Sequence, residues 1–433
     1  MGDDVAIIGA GVIGCAIGWE LAKRGAKATV IDGNGQVGHG STAASCGIVR
    51  RFYSTPTMTA LAHEGASVWA DWSRHVGIDE SDELLARFER PGMLFLPPEL
   101  GEGVERIVAH MRDMDVPVEI LTPSEVTAKF PFLDVNSHWP IRRPSDPDFL
   151  DDTNREIAGA VYEPDAGYVV SPQIATNNLH AAGVRDGVVF LLGKRVLTID
   201  HETNGRRFAL NLEDGTTHFA DVLVNASGPH SSVINQMAGV KLQIETRALR
   251  REICAVENPI HARGGSLPVV GDVDSGIYFR PESGGHDIVV GSLDPKCDEL
   301  EWVSEPDSCD TSCTVEGFER QVMRLMKRFP EVHLENRRGL AGMYDVTPLD
   351  WNPVLDRTDL PGYYVAIGTS GSSFKTSPVI GSVMAELIET CEAGRDHDQD
   401  PLHITLPRTG LEIDVSFFSR LRGAHATSAS VLG

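Results

Sequence analysis

The chain has 433 residues, 41% of them hydrophobic, and a formal charge of −24. That length exceeds what one core usually organises and predicts two domains. The acidic balance argues against a nucleic-acid partner, which needs a basic surface, and no stretch approaches the ~20 apolar residues of a membrane-spanning helix.

Asp3 and Asp4 stand where a secretory signal would carry basic residues, and glycines interrupt the apolar run that follows. The N-terminus is therefore not read as a signal peptide, and a cytoplasmic protein is expected. Residues 5–32 read VAIIGAGVIGCAIGWELAKRGAKATVID. An apolar strand over 5–8 meets Gly9-x-Gly11-x-x-Gly14, and a helix carrying Ile13 in its first turn runs to about Lys23. Gly25 stops it, and a second strand ends at Asp32. Gly9 makes the turn, Gly11 lets a pyrophosphate approach the backbone, and Gly14 lets helix and strand pack closely. Asp32 is placed to accept hydrogen bonds from ribose hydroxyls. The set predicts a dinucleotide-binding unit.

Residues 38–53, GHGSTAASCGIVRRFY, are mostly small up to Gly47 and then carry Arg50 and Arg51. The segment 136–154 is rich in Pro, Asp and Arg. It reads as an ordered excursion over a domain junction or as a disordered loop. A strand-to-helix segment follows over 163–183, and DVLVNASGPHSS (221–232) reads as an apolar strand running into a turn at Ala226 and Gly228. Residues 265–294 alternate apolar and polar around a Gly-Gly turn and predict an antiparallel hairpin. Tyr278 and Arg280, two apart, share one face of it. The seven cysteines are scattered. Cys309 and Cys313 lack the CxxC spacing of a zinc site, so free cytosolic thiols and no metal are expected. His63, His180, His230 and His286 have no triad-like context and read as structural or solvated.

Near the C-terminus stand GMYDVTPLDWNPVL (342–355) and VAIGTSGSSFKTSPVIG (365–381). The second predicts a strand over 363–367, a tight Gly/Ser loop, Lys375, and a helix to about Ile388. Such a loop aims free N–H groups at an anion. A lysine is slightly unfavourable at a helix N-terminus, so its presence there points to a task. The tail 396–423 is expected to pack through Phe417, Phe418 and Leu421.

Taken together, these segments resemble the D-amino-acid oxidase superfamily, which includes glycine oxidase, sarcosine oxidase and dimethylglycine dehydrogenase. The carriers are the N-terminal fingerprint, the GST segment after the second strand, Ile48-Val49-Arg50, and the segments at 163–183, 221–232, 342–355 and 365–381. The resemblance implies an α/β fold in which a Rossmann-like FAD domain joins an antiparallel-sheet α+β substrate domain. The FAD domain would comprise 1–88, 151–245 and 335–392, and the substrate domain 89–150 and 246–334. Residues 393–433 would form a tail packed on the FAD domain.

The implied cofactor is FAD, which the position of the fingerprint at the chain's start also favours. The implied contacts are Gly9, Gly11, Ile13, Gly14, Asp32, Ser41, Thr42, Ala44, Ser45, Cys46, Gly47, Val196, Ala226, Gly228, Gly342, Gly371, Ser372, Ser373, Phe374 and Lys375. The C-terminal loop would face the flavin pyrimidine edge, and Arg50 with Lys375 would hold a substrate carboxylate; Tyr278 and Tyr344 complete the implied catalytic group. Two departures matter. The cysteine and histidine that attach flavin in some members are replaced by Gly342 and Ala44, which implies dissociable FAD. Tyr344 stands where glycine oxidase and D-amino-acid oxidase use an arginine for the carboxylate. The implied reaction is hydride transfer from a small carboxylate-bearing amine, giving an imine that hydrolyses, with oxygen or another acceptor taking the electrons. Two alternatives stay open. One is an FAD enzyme of a 2-hydroxy acid or glycerol 3-phosphate; the other is a flavin-holding subunit of a larger complex or a homo-oligomer.

Overall fold

The structure is a computed structural model that describes residues 4–203 and 206–428. Its first layer is a six-stranded sheet in the order Val354–Arg357, Tyr363–Ile367, Val222–Asn225, Asp4–Ile8, Lys27–Asp32, Val189–Leu192. All pairs are parallel except the first, which is antiparallel. The unbroken apolar runs of these strands follow from burial on both faces. Val5 and Ile7 pack into the cluster formed with helices Val12–Lys23 and Ser377–Glu392. The alternate residues Ala6 and Ile8 pack the other way, into the cluster shared with Phe208 and Leu210 of a three-stranded antiparallel sheet. The layers are thus helices, parallel sheet and small sheet. The two helices touch at backbone range, since a Cβ on Gly381 would lie 2.8 Å from the Ala16 carbonyl carbon.

A second, nine-stranded sheet is mainly antiparallel and is centred on Arg247–Glu257, Asp287–Ser292, Ile277–Glu282 and Val269–Asp272. The Gly-Gly turn joins Ile277–Glu282 to Asp287–Ser292. One face packs on helix Val315–Arg328 through Phe279, Val290, Phe318 and Val322. The other carries Tyr278 and Val289 toward Cys46.

Strands Ala160–Glu163 and Arg338–Val346 pair within this larger sheet, whereas the sequence grouped 151–245 and 335–392 with the cofactor half. Periodicity identifies a strand but not its partner, and both strands cross from one unit to the other. The tail needs a second correction. Phe418 is buried and Phe417 packs against the helix-side core, but Leu421 is 48% exposed. Its neighbour Arg420 anchors the tail instead, bonded to Asp356, Asp359 and Asp398. Residues 136–154 form an ordered excursion held on helix Val315–Arg328: Lys327 Nζ donates to Phe149 O (2.8 Å), Arg324 Nη2 to Arg142 O (3.1 Å) and Arg328 Nη1 to Asn136 O (2.9 Å).

Candidate active site

The N-terminal turn is built on contacts that only glycine permits. Gly9 has φ +110°, and a Cβ there would lie 2.3 Å from Ala226 O. A Cβ on Gly14 would lie 1.9 Å from Gly9 O. Helix Val12–Lys23 begins at Gly11 with no side-chain cap, so its free N–H groups face the turn; Ile13 is buried in its first turn. Asp32 Oδ2 accepts from Ala10 N (2.7 Å), which fixes the carboxylate at the end of its strand. Thr42 Oγ1 accepts from Val12 N at 3.2 Å, bringing the 41–47 segment over the turn. Next to it the Ser41 hydroxyl is buried and has no hydrogen-bond partner among the described residues.

Past this turn the chain crosses to the larger sheet. A Cβ on Gly342 would lie 2.5 Å from Ala44 Cβ, so these two positions touch. Arg280 Nε donates to Cys46 O (2.6 Å), and Cys46 Sγ lies 3.4 Å from Tyr278 Oη. Gly47, at φ +61°, accepts from Val169 N (2.8 Å). Beyond it the two arginines separate. Arg51 enters a buried ion pair with Glu163, and Arg50 turns into the cavity. That cavity is lined by Ser45, Cys46, Gly47, Ile48, Arg50, Met93, Gly271, Tyr278, Leu293, Tyr344, Gly371, Phe374 and Lys375. Met93, Gly271, Tyr278 and Tyr344 come from the larger sheet, and Gly371, Phe374 and Lys375 from the loop that follows strand Tyr363–Ile367.

Arg50 and Lys375, 325 positions apart in the chain, meet around one phenol. The Arg50 guanidinium carbon sits 4.2 Å from the centre of the Tyr53 ring, and Lys375 Nζ donates to Tyr53 Oη (2.9 Å) and to Ser372 O (2.7 Å). All three are buried. Burial holds the Lys375 ammonium below the usual lysine range, and Arg50 adds to the effect. Burial alone would push Tyr53 up, but the charges of Lys375 and Arg50 bring it below the ordinary phenol value. A closely packed helix supports the cluster: a Cβ on Gly65 would lie 2.3 Å from Lys375 O, Trp69 Nε1 donates to that carbonyl (2.8 Å), and Phe374 stacks on Trp69.

Tyr344 forms the opposite wall. Burial first, then Cys46, pushes its phenol up to about 12, and the same causes hold Tyr278 well above the ordinary phenol value. Both stay protonated at neutral pH and offer O–H groups. Gly371, at φ +72°, passes under the Tyr344 ring, where a Cβ would lie 2.4 Å from it. Its loop is pinned from below by Asp345. Asp345 Oδ2 accepts from Gly368 N (2.6 Å), Oδ1 from Ser231 Oγ (2.8 Å), and its main-chain oxygen from Ser370 N (2.7 Å). Burial raises this carboxyl to about 7.

The arrangement brings together all four sequence-nominated catalytic residues, Arg50, Lys375, Tyr278 and Tyr344, with Ser45, Cys46, Gly47, Gly371 and Phe374. Ser372 and Ser373 are buried in the same loop, and Gly228 begins a short turn next to Ala226. Val196 stands apart, packed in the core cluster under the small sheet. The sequence reading missed Tyr53 and Asp345. Each lies inside a quoted motif, but nothing local marks Tyr53 as lying between two cations or Asp345 as supporting a loop 23 residues away.

A dinucleotide fits these residues: two glycine close approaches, a helix start whose N-cap is a glycine, an orphaned Ser41 hydroxyl and a strand-end carboxylate lie on the same turn and the segment over it. The fold and these residues together define a flavoprotein oxidoreductase class. The family model for FAD dependent oxidoreductases (DAO) matches residues 4–387, and the chain belongs to that family. Among curated relatives it is 27% identical to FAD-dependent oxidoreductase domain-containing protein 1 of Xenopus laevis, over 89% of this chain and 79% of that protein. It is 24% identical to glycine oxidase of Geobacillus kaustophilus, over 94% and 99%, and 25% identical to sarcosine oxidase subunit beta of Rhodobacter capsulatus, over 89% and 84%. Among solved structures, L-proline dehydrogenase from P. horikoshii superposes with a TM-score of 0.76 at 23% identity, covering 98% of this chain and 99% of that one. The chain is therefore an FAD-dependent oxidoreductase related to glycine and sarcosine oxidases. No helix among the described residues is long and apolar enough to cross a membrane.

Proposed function

We propose that this protein oxidises the C–N bond of a small amine that carries a carboxylate. The observation that carries the reading is the convergence of Arg50 and Lys375 on Tyr53 at the cavity wall. A planar guanidinium and an ammonium converging on one point suit a carboxylate. The names of the relatives, glycine oxidase and sarcosine oxidase, support the same substrate class.

FAD would be held by the Gly9–Gly14 turn, Ser41, Thr42 and Asp32, with the 368–374 loop toward its ring. When bound, it supplies an acceptor for two electrons and a proton from the substrate C–H. The chain's own residues do the rest. Arg50 and Lys375 fix the carboxylate and so set which C–H faces the acceptor. Tyr278 and Tyr344, held protonated, line the cavity without offering a competing charge. The loop N–H groups and the start of helix Ser377–Glu392, which has no acidic residue in its first turn, stabilise negative charge that develops beside them. Among the described residues no carboxylate or imidazole lines the cavity, so the amine must arrive or become neutral, and turnover rises with pH until the cation cluster titrates. Ala44 and Gly342 offer no nucleophile where they meet, which supports dissociable flavin.

The test is anaerobic. The purified chain alone is mixed with glycine, sarcosine, proline and other amino acids from pH 7 to 10, beside lactate, 2-hydroxyglutarate and glycerol 3-phosphate. Bleaching of the flavin by an amine is expected, with the flavin released by acid precipitation. Bleaching only by a hydroxy compound would replace the amine reading. Activity confined to a mixture with partner chains would favour a subunit role, as in the relatives named sarcosine oxidase subunit beta.

A further inference from the structure

At the edge of the cavity lies an ion pair that the proposed reaction does not use. Arg251, on strand Arg247–Glu257, stands opposite Gly342 in the antiparallel register, so the paired strand puts no side chain beside it. Its guanidinium carbon lies 5.9 Å from the centre of the Tyr344 ring, which lines the cavity. Ile253, two residues on and therefore on the same face, packs with Cys46, Tyr278 and Leu293. This face of the strand thus borders the cavity, and Arg251 brings a charge to it. The counter-ion, Asp294, directly follows the wall residue Leu293 and sits at φ +58°, a conformation uncommon for a residue with a side chain.

The pair is largely enclosed, with 13% and 7% side-chain exposure. Arg251 Nη2 meets Asp294 Oδ2 directly, while Arg251 Nε is buried without a hydrogen-bond partner among the described residues. Two other buried arginines of the larger-sheet unit use more of their donors. Arg324 gives Asp298 two bonds (2.6 and 2.9 Å) and Arg142 O two more (3.1 and 3.3 Å). Arg328 is bonded to Asp272, Asp274 and Asn136 O. Against these, Arg251 meets its counter-ion through Nη2 and leaves Nε unused, a costly state unless a ligand completes it. Its partner is also the replaceable one. Burial raises Asp294 to about 6 despite Arg251, with Asp298 and Arg320 also acting on it. It can take a proton when another anion arrives, whereas a guanidinium keeps its charge.

We propose that Arg251 receives a second acidic group of the substrate in exchange for Asp294, so that the cavity takes an amine bearing two carboxylates, one on Arg50 and Lys375 and the other on Arg251. The assignment of the first carboxylate rests on the function proposed above.

The test uses acids that carry no amine and cannot be oxidised, so its result does not depend on whether amines reduce the flavin. Succinate, glutarate and adipate are titrated calorimetrically into the flavin-loaded full chain beside butyrate, valerate and hexanoate. A diacid should bind roughly ten- to a hundredfold more tightly than the monoacid of its length, and Arg251→Met should remove that difference. Equal binding of mono- and diacids, or a difference that survives Arg251→Met, overturns the proposal. If that variant does not retain flavin, Asp294→Asn decides. Removal of the competing carboxylate should tighten diacid binding, and unchanged or weaker binding overturns the proposal.

Discussion

Lys375 contributes a charge that burial weakens. Its ammonium lies below the usual lysine range because it is desolvated and faces Arg50, and Tyr53 between them is drawn down as well. The cluster therefore loses positive charge at a lower pH than free lysine, whose ordinary value is about 10.4. The pH profile of kcat/KM should rise as the substrate amine is deprotonated and fall as the cluster titrates. Lys375→Arg should move the falling limb to higher pH, because a guanidinium stays charged. Lys375→Met should lower kcat/KM for a carboxylate-bearing amine by about 10²- to 10³-fold, with a smaller loss for an amine lacking the carboxylate. A uniform loss on both substrates, with the falling limb unmoved in Lys375→Arg, would remove Lys375 from carboxylate binding.

Among elements, the critical junction is that of strand Arg338–Val346 with the 368–371 loop. Asp345 holds Gly368 and Ser370, and Gly371 passes under Tyr344. The Asp345 carboxyl ionises near 7 in the folded chain, against about 3.9 when unfolded. Between these values the folded protein keeps a proton that the unfolded chain releases. The stabilisation is complete below the lower value and is lost as pH rises through the higher one. Asp345→Asn keeps an acceptor for Gly368 N, and the Ser231 hydroxyl can turn to accept from the new amide. The variant should melt at a higher temperature than the native protein at pH 8, by an amount corresponding to a few kcal/mol, and the two should converge only as pH falls below about 4. A melting difference independent of pH would show that Asp345 titrates in the folded chain as it does in the unfolded one.

At the scale of the whole molecule, Arg328 ties the excursion at 136–154, the Val315–Arg328 helix and the larger sheet together. Its side chain is fully buried with Asp272 (2.7 Å) and Asp274 (3.0 Å), and it also bonds Asn136 O. Arg328→Met would leave two buried carboxylates without a counter-ion, at a cost of about 3–5 kcal/mol. Chemical unfolding should detect that loss in the larger-sheet unit, while the ratio of flavin to protein at low denaturant stays unchanged. A loss under about 1 kcal/mol would mean that water reaches the aspartates. The same scale explains the charge of −24: the cations of the candidate site are few, local and enclosed, so an acidic exterior does not prevent an anion from being held inside.

The cofactor half was legible in the sequence because its requirements are local. The Gly9–Gly14 turn, the Asp32 strand end and the strand–loop–helix around Lys375 each lie within a short stretch, where spacing dictates backbone shape. The pairing of Arg50 with Lys375 came from resemblance and not from spacing, since 325 positions separate them. Tertiary structure alone decided what depends on which segments meet. It placed Tyr53 between two cations, put Asp345 under a distant loop, moved Ala160–Glu163 and Arg338–Val346 into the larger sheet, and set Arg251 with its unused Nε beside Tyr344. Backbone conformation answers to neighbours in the chain, whereas burial and charge pairing answer to neighbours in space.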